Sequence, residues 1–355
     1  MFEMKPDYEK CMERINAFWA NDLADRPLVW MGYQKPDPKP LIEKKYNNLR
    51  ERWLDFDTRV ENYVIQMENS VAYADAMPMA WPNMGPEIIS AMCGCGYEFG
   101  ETTAWSTPCV RDWQDDYDKS VFSQDNEYFK LLDTFTRKLA EAGKGRFIVG
   151  YTDMHGGGDH LAALRDPQEL CIDMIENVGW IRKKLTDSYR EFYWIYEHFH
   201  EMLSGMGMPS TTWLPLVCEK GKYAVVSNDF SCMISKKMFD DMFLPGIAEE
   251  CAYFDRSIYH LDGPGALVHL DSLLQIKELD AIQWVPGAGN EGFHRWIGVY
   301  KKIQKASKGI QVLVQPGELG EVFEHLDPEG VMLCVQGIEN ESQAENVMKK
   351  IKKWR

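Results

Sequence analysis

The fold is decided by Ser257-Ile-Tyr-His-Leu-Asp-Gly-Pro-Gly-Ala-Leu-Val-His-Leu-Asp271. Residues 257–261 are rich in apolar side chains, Gly-Pro-Gly at 263–265 interrupts them, and residues 266–276 carry apolar side chains at helical spacing. The segment therefore predicts a strand, a tight turn and a helix. Alternate side chains of a strand share a face, so we expect His260 and Asp262 to point the same way, roughly 7 Å apart at the backbone.

An imidazole and a carboxylate at the carboxyl end of a strand lie where α/β enzymes keep their catalytic groups. The alternative is a structural pair, in which a buried histidine is hydrogen-bonded to a neighbour and an aspartate caps the next helix. The choice between them depends on what the other strands bring to the same edge.

Short apolar strands recur along the chain, and helical segments follow most of them. They lie near residues 28, 72, 148, 224, 258, 282, 312 and 332. This alternation predicts parallel strands with crossover helices, and eight such units favour a closed (β/α)8 TIM barrel. We therefore expect an α/β fold in one domain over residues 1–355. An N-terminal helical segment precedes the first strand, and a long irregular insertion is expected near residues 78–125.

The composition excludes several classes of partner. Acidic residues outnumber basic ones by 55 to 39, so the net charge of −16 would repel nucleic acid and anionic membranes. No apolar run reaches the ~18 residues of a membrane span, and the charged N-terminus lacks a signal peptide's apolar segment. Nine scattered cysteines are typical of reduced thiols. We expect a cytoplasmic protein that binds a small-molecule substrate.

Three local motifs are weaker. Gly287-Ala-Gly-Asn-Glu-Gly292 matches the dinucleotide fingerprint, but the acidic residue expected about 20 positions later is missing until Glu318, which indicates a plain strand-to-helix loop. His155-Gly-Gly-Gly158 is similar to an esterase oxyanion loop, but the chain has no G-x-S-x-G elbow, so its glycines are expected to approach a bound ligand. Cys93-Gly-Cys95, with Cys109 beyond, is a weak indication of a soft-metal site.

A larger set of polar side chains follows the predicted strands, and a closed barrel would bring them to one mouth. The set supplies carboxylate, imidazole, amide and thiol groups: Asp75, Asp153, His155, Asp229, His260, Asp262, Gln283, Gln315, Cys334 and Gln336. It can bind one divalent metal through His260, Asp262 and Cys334, or transfer protons without a metal.

At these residues the chain resembles the uroporphyrinogen decarboxylase (URO-D) superfamily, which includes the cobalamin-dependent methyltransferases. The resemblance extends over nearly the whole chain. It is carried by short matches: Arg26-Pro-Leu-Val-Trp-Met31, Ala74-Asp75-Ala-Met-Pro78, Thr107-Pro108, Met233-Ile-Ser235 through Phe239 to Leu244-Pro245, His260-Leu-Asp-Gly263, Asp280-Ala-Ile282 and Gln336-Gly-Ile338. It implies a (β/α)8 barrel with its site at the carboxyl mouth.

Decarboxylases of this family hold their substrate's carboxylates with arginines after the first strand, whereas this chain has Met31-Gly-Tyr-Gln34. Asp75 matches an aspartate that grips pyrrole nitrogens, Asp229 falls near a site serine, and Gln336 replaces a site histidine. An acidic pocket without arginines would repel an octa-acid, so the resemblance favours the methyltransferase branch.

The methyltransferases bind zinc with His-x-Cys on the fifth strand and a cysteine on the last. This chain has His260-x-Asp262, with Gln336 at the last-strand position and Cys334 two residues earlier. The resemblance therefore implies zinc held by His260 and Asp262 with Cys334 or Glu219. Such a centre is harder than one with two thiolates and suits an ether or amine better than a thiol.

The resulting hypothesis is a corrinoid-dependent methyltransferase that moves a methyl group between a small methylated substrate and a corrinoid (cobalamin) protein. The alternatives are a metal-free decarboxylase, or lyase, acting on a porphyrinogen or smaller tetrapyrrole, and a non-catalytic corrinoid- or tetrapyrrole-binding protein. The groups expected to act in catalysis are Asp75, Asp153, His155, Asp229, His260 and Asp262. Those expected to contact substrate or cofactor are Tyr33, Gln283, Trp284, Gln315 and Gln336.

Overall fold

The computed structural model describes residues 2–23 and 25–354 of the chain, and residues 1, 24 and 355 lie outside it. The strands are β1 (Leu28–Gln34), β2 (Ser70–Ala74), β3 (Met79–Ala80), β4 (Gly96–Phe99), β5 (Ala104–Thr107), β6 (Ile148–Val149), β7 (Tyr223–Ser227), β8 (Arg256–Asp262), β9 (Ala281–Val285), β10 (Gly309–Val314) and β11 (Val331–Val335). The helices are α1 (Tyr8–Trp19), α2 (Leu49–Leu54), α3 (Phe56–Asn69), α4 (Ile88–Met92), α5 (Trp113–Asp116), α6 (Glu127–Gly143), α7 (Gly157–Arg165), α8 (Pro167–Glu176), α9 (Val178–Gly205), α10 (Lys236–Met242), α11 (Leu244–Tyr253), α12 (Leu270–Leu273), α13 (Ile297–Lys305), α14 (Leu319–His325) and α15 (Glu341–Ile351).

Seven strands form one mainly parallel sheet in the order β2-β1-β11-β10-β9-β8-β7. Five of its strand pairs are parallel. Strands such as β7 and β11 are buried along their whole length, as expected for parallel strands covered on both faces. The α/β class expected from the sequence is confirmed.

The second predicted strand, β2, was expected to run parallel to β1 but runs antiparallel to it. β2 is antiparallel to β1, with Ala74 opposite Trp30. Ala74 has φ of 56°, which turns the chain, and the two-residue β3 then pairs in parallel with β6. The prediction of a parallel strand near residue 72 is therefore wrong, because apolar alternation reports which face of a strand is buried but not its direction.

The two edges of the sheet, β2 and β7, do not pair with each other over the described residues. β3 and β6 form a separate two-stranded parallel sheet, and Tyr151, just after β6, is hydrogen-bonded to the segment 210–212. Gly150 N–H donates to Ala80 O at 2.9 Å, and Tyr151 N–H donates to Thr211 O at 3.0 Å. The described residues therefore form a seven-stranded sheet and two separate two-stranded sheets, not one continuous eight-stranded ladder.

The expected irregular insertion at 78–125 contains regular elements. It includes β3, helices α4 and α5, and a β4–β5 hairpin in which Gly96 lies opposite Thr107. Each element is only two to five residues long, so no periodicity could develop in the sequence. The N-terminal helical segment is present as α1. Every helix described is too short or too polar to span a bilayer.

Helix α1 covers the amino ends of the strands. Trp19 Nε1 donates to Val217 O at 2.9 Å, just before β7, and Phe18 packs against Gly309 at the start of β10. The opposite, carboxyl ends of the strands are therefore the ones left open for a site.

Candidate functional site

A cavity of about 680 Å³ opens beyond the carboxyl ends of β6, β7 and β8. Carboxylates and imidazoles dominate its polar wall: Asp153, His155, Asp159, His160, Asp229 and His260. These residues come from separate parts of the chain, and four of them, Asp153, His155, Asp229 and His260, belong to the set expected from the sequence. Their convergence follows from parallel strands ending at one edge.

His260 is positioned by its neighbour on the next strand. The β8–β9 register sets His260 beside Gln283, and His260 Nδ1 lies 2.5 Å from Gln283 Oε1. Because the amide oxygen accepts a hydrogen bond, Nδ1 is the donor in this contact, and Nε2 is the ring nitrogen that Gln283 leaves available. Trp213 meets the imidazole at 5.1 Å between ring centroids, with the ring planes nearly perpendicular.

Asp229, His260 and Asp262 form a compact group of donor atoms. One carboxylate oxygen from each aspartate and one imidazole nitrogen all lie within 4.8 Å of one another. Ser227 Oγ donates to Asp229 Oδ1 at 3.1 Å, which orients the carboxylate. Two oxygens and one nitrogen are a ligand set that divalent cations accept.

The negative charge around Asp229 changes its titration. The side chain is open to solvent through the cavity, but protein surrounds the carboxyl on its other sides. This burial and the nearby Asp159 carboxylate raise the pKa of Asp229 to about 6, against the lowering effect of His260 and His155. Asp229 therefore takes up a proton as the pH falls through about 6.

Asp153 and His155 form a second pair in the cavity wall. His155 Nε2 lies 2.8 Å from Asp153 Oδ1. Burial lowers the pKa of His155, but the carboxylates of Asp153, Asp159 and Asp229 outweigh burial and raise that pKa to about 9. The imidazole is therefore protonated at neutral pH and can act as a proton donor.

The glycines that follow His155 contact protein. A Cβ at Gly157 would lie 2.6 Å from the Tyr189 hydroxyl, and one at Gly158 would lie 2.5 Å from Asn228 Oδ1. The expectation that these glycines admit a ligand is therefore wrong, because they allow the first turn of α7 to approach α9 and the end of β7.

Four residues in or near the cavity were not expected from the sequence: Asp159, His160, Trp213 and Glu250. Asp159 accepts hydrogen bonds from Asp229 N–H at 3.0 Å and Phe230 N–H at 2.8 Å, and so fixes the loop after β7. Trp213 packs on His260. Glu250 is buried near His155 and Asp159, and burial raises its pKa to about 8. A signal was present for two of them: Asp159 follows His155 by only four residues, and Glu250 shares a helix face with buried apolar residues of α11.

Asp75 does not reach the mouth. Its carboxylate is 2% exposed and accepts hydrogen bonds from the two terminal guanidinium nitrogens of Arg26 at 2.5 and 2.8 Å. It also lies 3.1 Å from Arg14 Nε. Val29 N–H also donates to it at 2.8 Å. The expected placement is wrong because antiparallel β2 carries Asp75 to the amino half of β1, away from the carboxyl ends.

Two expected metal ligands also lie elsewhere. Cys334 is buried on β11, three strands from β8, and is outside the described donor group around His260. Burial raises the pKa of its thiol to about 12. Glu219 precedes β7 and lies beside Tyr8 of α1, at the closed end of the molecule. Asp229 takes the position expected for these ligands.

Trp284 points away from Gln283. Neighbouring residues of a strand face opposite sides, so with Gln283 beside His260, Trp284 is directed outward, where it is fully buried and packs edge-on against Trp296 at 4.9 Å. The expectation that both line the site is wrong for Trp284.

The remaining expected contacts line two other cavities. Gln315 and Gln336 line a cavity of about 600 Å³ with aromatic side chains of the segment after β9. Tyr33 lines a cavity of about 710 Å³ at the carboxyl end of β1. Trp213 contributes to both this cavity and the one around His260, so the two adjoin.

The cysteines at 93–109 divide into two groups. Cys95 and Cys109 Sγ atoms are 2.8 Å apart. Cys93 instead faces His160 and Glu191, and this trio is a second group of donor atoms that a metal could share. Burial and the nearby Lys184 lower the pKa of His160 to about 3, so its imidazole is neutral.

The fold and the cavity define an α/β protein with an acidic, imidazole-bearing site at the carboxyl edge of its sheet. No family model matches the sequence, and no curated protein sequence matches it. Among solved structures, a methyltransferase from Methanosarcina mazei is similar, with a TM-score of 0.59 over 99% of this chain and 98% of that chain at 9% sequence identity. At this identity the likeness shows a shared fold.

Proposed function

We propose that the protein is a methyltransferase that moves a methyl group between a small methylated substrate and a corrinoid. The observation that carries the proposal is the group of Asp229, His260 and Asp262 in a cavity at the carboxyl edge of the sheet. The near-complete overlap with a methyltransferase fold supports it at the level of architecture.

A divalent cation, zinc in the first instance, fits these residues. Three protein ligands leave a coordination position for substrate, as in catalytic zinc sites. His260 Nε2 is free because Gln283 Oε1 accepts from Nδ1, the usual support for a metal-bound histidine. When bound, the ion would supply Lewis acidity to a substrate oxygen or nitrogen.

Side chains of the cavity can supply the proton that the leaving group needs. When a methyl group leaves as a cation equivalent, its former oxygen or nitrogen keeps the bonding electron pair and needs a proton. His155 holds one at neutral pH, shared with Asp153 across 2.8 Å, and lines the same cavity as His260. Asp159 holds Asp229 in place through the backbone of the loop after β7.

The adjoining cavities of about 710 and 680 Å³ give room for a large flat cofactor beside a small substrate. Trp213 lies between them. We assign the corrinoid to a partner protein that presents it at this mouth. A cytoplasmic location, inferred from the scattered thiols, belongs to the same proposal.

Membership of the uroporphyrinogen decarboxylase superfamily and a closed barrel are also part of the proposal. The segments that would complete such a barrel are β3, β6 and residues 210–212. The proposal is supported by the β3–β6 pairing and by hydrogen bonds between neighbouring segments, including Asp75 N–H to Val29 O at 3.0 Å beside β1. Distorted strands of this kind would still direct their carboxyl ends to one mouth.

The test is metal content combined with methyl transfer in purified His260→Ala. We expect the variant to lose one equivalent of zinc relative to the wild type, together with methyl transfer to reduced cobalamin from a panel of methylated amines and ethers. Gln283→Ala should weaken zinc binding about 10- to 100-fold, because the imidazole loses its orienting acceptor.

The matched control is His294→Ala, which removes an exposed histidine outside the cavity. It should keep both zinc and activity. Unchanged zinc content and turnover in His260→Ala would refute the assignment of the site, and turnover of uroporphyrinogen would refute the reaction class.

A further inference from the structure

We propose that Cys93, His160 and Glu191 form a second zinc site, separate from the group around His260. Cys93 directly follows α4, His160 lies on α7 and Glu191 on α9, so the three ligands come from three separate parts of the chain. Cys93 is 1% and His160 3% exposed, so these two ligands are almost fully buried.

The three donor atoms form a nearly equilateral triangle. Cys93 Sγ is 3.8 Å from His160 Nε2 and 3.7 Å from Glu191 Oε2, and the nitrogen and oxygen are 3.9 Å apart. Tetrahedral zinc bonds imply ligand separations of about 3.4–3.6 Å. The triangle is thus a few tenths of an ångström wider than zinc requires, whereas 3.9 Å is too long for a nitrogen–oxygen hydrogen bond.

Other contacts aim each ligand at the centre of the triangle. Ser90 Oγ lies 3.0 Å from His160 Nδ1, which leaves Nε2 for a metal. Glu191 Oε1 accepts from Phe122 N–H at 3.2 Å and lies 3.5 Å from Lys184 Nζ, which leaves Oε2 for the same centre. Supporting contacts of this kind orient the ligands in natural metal sites.

The donor types select the ion. A thiol, an imidazole and a carboxylate are a zinc set, whereas magnesium and calcium take oxygen ligands. On binding, a sulfur–zinc bond replaces the S–H bond of Cys93 and the proton leaves to solvent. Thiolate and carboxylate then neutralise the dication, and Lys184 retains one positive charge.

That remaining charge favours an anionic fourth ligand such as hydroxide. The adjoining cavity supplies a route for it, because Ser90 and His160 form part of the cavity wall. The site would tie α4, α7 and α9 together behind the groups that line the cavity.

Cobalt(II) substitution tests this site without relying on activity. A thiolate bound to cobalt gives a charge-transfer band in the near ultraviolet, and the group of Asp229, His260 and Asp262 contains no sulfur. We expect the band in the cobalt-loaded wild type and in His260→Ala, and its loss in Cys93→Ser. Failure of the proposed reaction therefore leaves this readout intact.

The matched control is Cys251→Ser, an equally buried cysteine on α11, which should keep the band. The double variant Cys95→Ser/Cys109→Ser should keep it too, since those thiols lie outside the triangle. If Cys93→Ser does not fold, Glu191→Gln replaces it and should bind cobalt about tenfold more weakly or worse. Absence of the band in the wild type, or its persistence in Cys93→Ser, would overturn the proposal.

Discussion

Aspartates 75 and 229 follow apolar segments in the same way, but their surroundings give them different tasks. Asp75 is enclosed by two guanidinium groups and a backbone N–H, whereas Asp229 opens onto the cavity beside His260. A carboxylate with that many partners stabilises the fold and is not available to a ligand. One beside another carboxylate, with a pKa raised to about 6, is suited to ligand binding.

Asp75→Asn should destabilise the protein by about 3–5 kcal/mol, because it removes the buried carboxylate that pairs with Arg26 and leaves Arg14 with Asp25 alone. Urea unfolding measures this loss. Asp241→Asn, which breaks an exposed ion pair with Lys237, is the control and should cost less than about 1 kcal/mol. If Asp75→Asn is as stable as the wild type but inactive, Asp75 has a role in the site and the prediction is wrong.

At the scale of elements, the contact between α7 and the end of β7 decides the shape of the cavity wall. The glycines at 156–158 let the helix begin against Tyr189 and Asn228. Asn228 directly precedes Asp229, and its amide atoms are buried without hydrogen-bond partners. Any side chain at 158 must therefore displace the residue that leads into the ligand group.

Gly158→Ala should lower the stability by about 1–3 kcal/mol through overpacking, and should weaken zinc binding at Asp229. Thermal unfolding with and without zinc measures both effects. The control is Gly179→Ala in α9, where a Cβ meets nothing within 4 Å and helix propensity predicts no loss. Equal melting temperatures for the two variants would show that Asn228 can move to accommodate a side chain at position 158, and would contradict the prediction.

At the scale of the whole molecule, we propose that the chain behaves as a single domain. Helix α1 contacts the segment before β7 and the start of β10, and β1 pairs with β11, so the two ends of the chain share one sheet and one core. Unfolding of one element would therefore expose the apolar side chains of the shared core.

Scanning calorimetry should show one transition, with equal van't Hoff and calorimetric enthalpies and a heat-capacity change of about 4–5 kcal/mol/K. Repeating the scan at two rates controls for irreversibility. Two resolved transitions would show that the insertion at 78–125 or another segment forms its own cooperative unit.

Prediction from the sequence was correct for elements whose local pattern is long. The strand at 256–262 and its following turn are correct, and they place His260 beside the next strand's Gln283. It failed for the direction of β2 and for elements of two to five residues, because a few residues carry no period. It also grouped Gln283 with Trp284, although strand alternation separates such neighbours.

Local sequence by itself determined that this is an α/β chain whose polar groups follow its strands, because apolar periodicity and turn residues act over a few residues. Only the tertiary structure decided which of those groups meet. Asp229 joins His260 while Asp75 and Cys334 do not, and Cys93 finds His160 and Glu191 on distant helices. The reason is physical: strand direction and sheet order set such distances, and both depend on contacts between residues far apart in the chain.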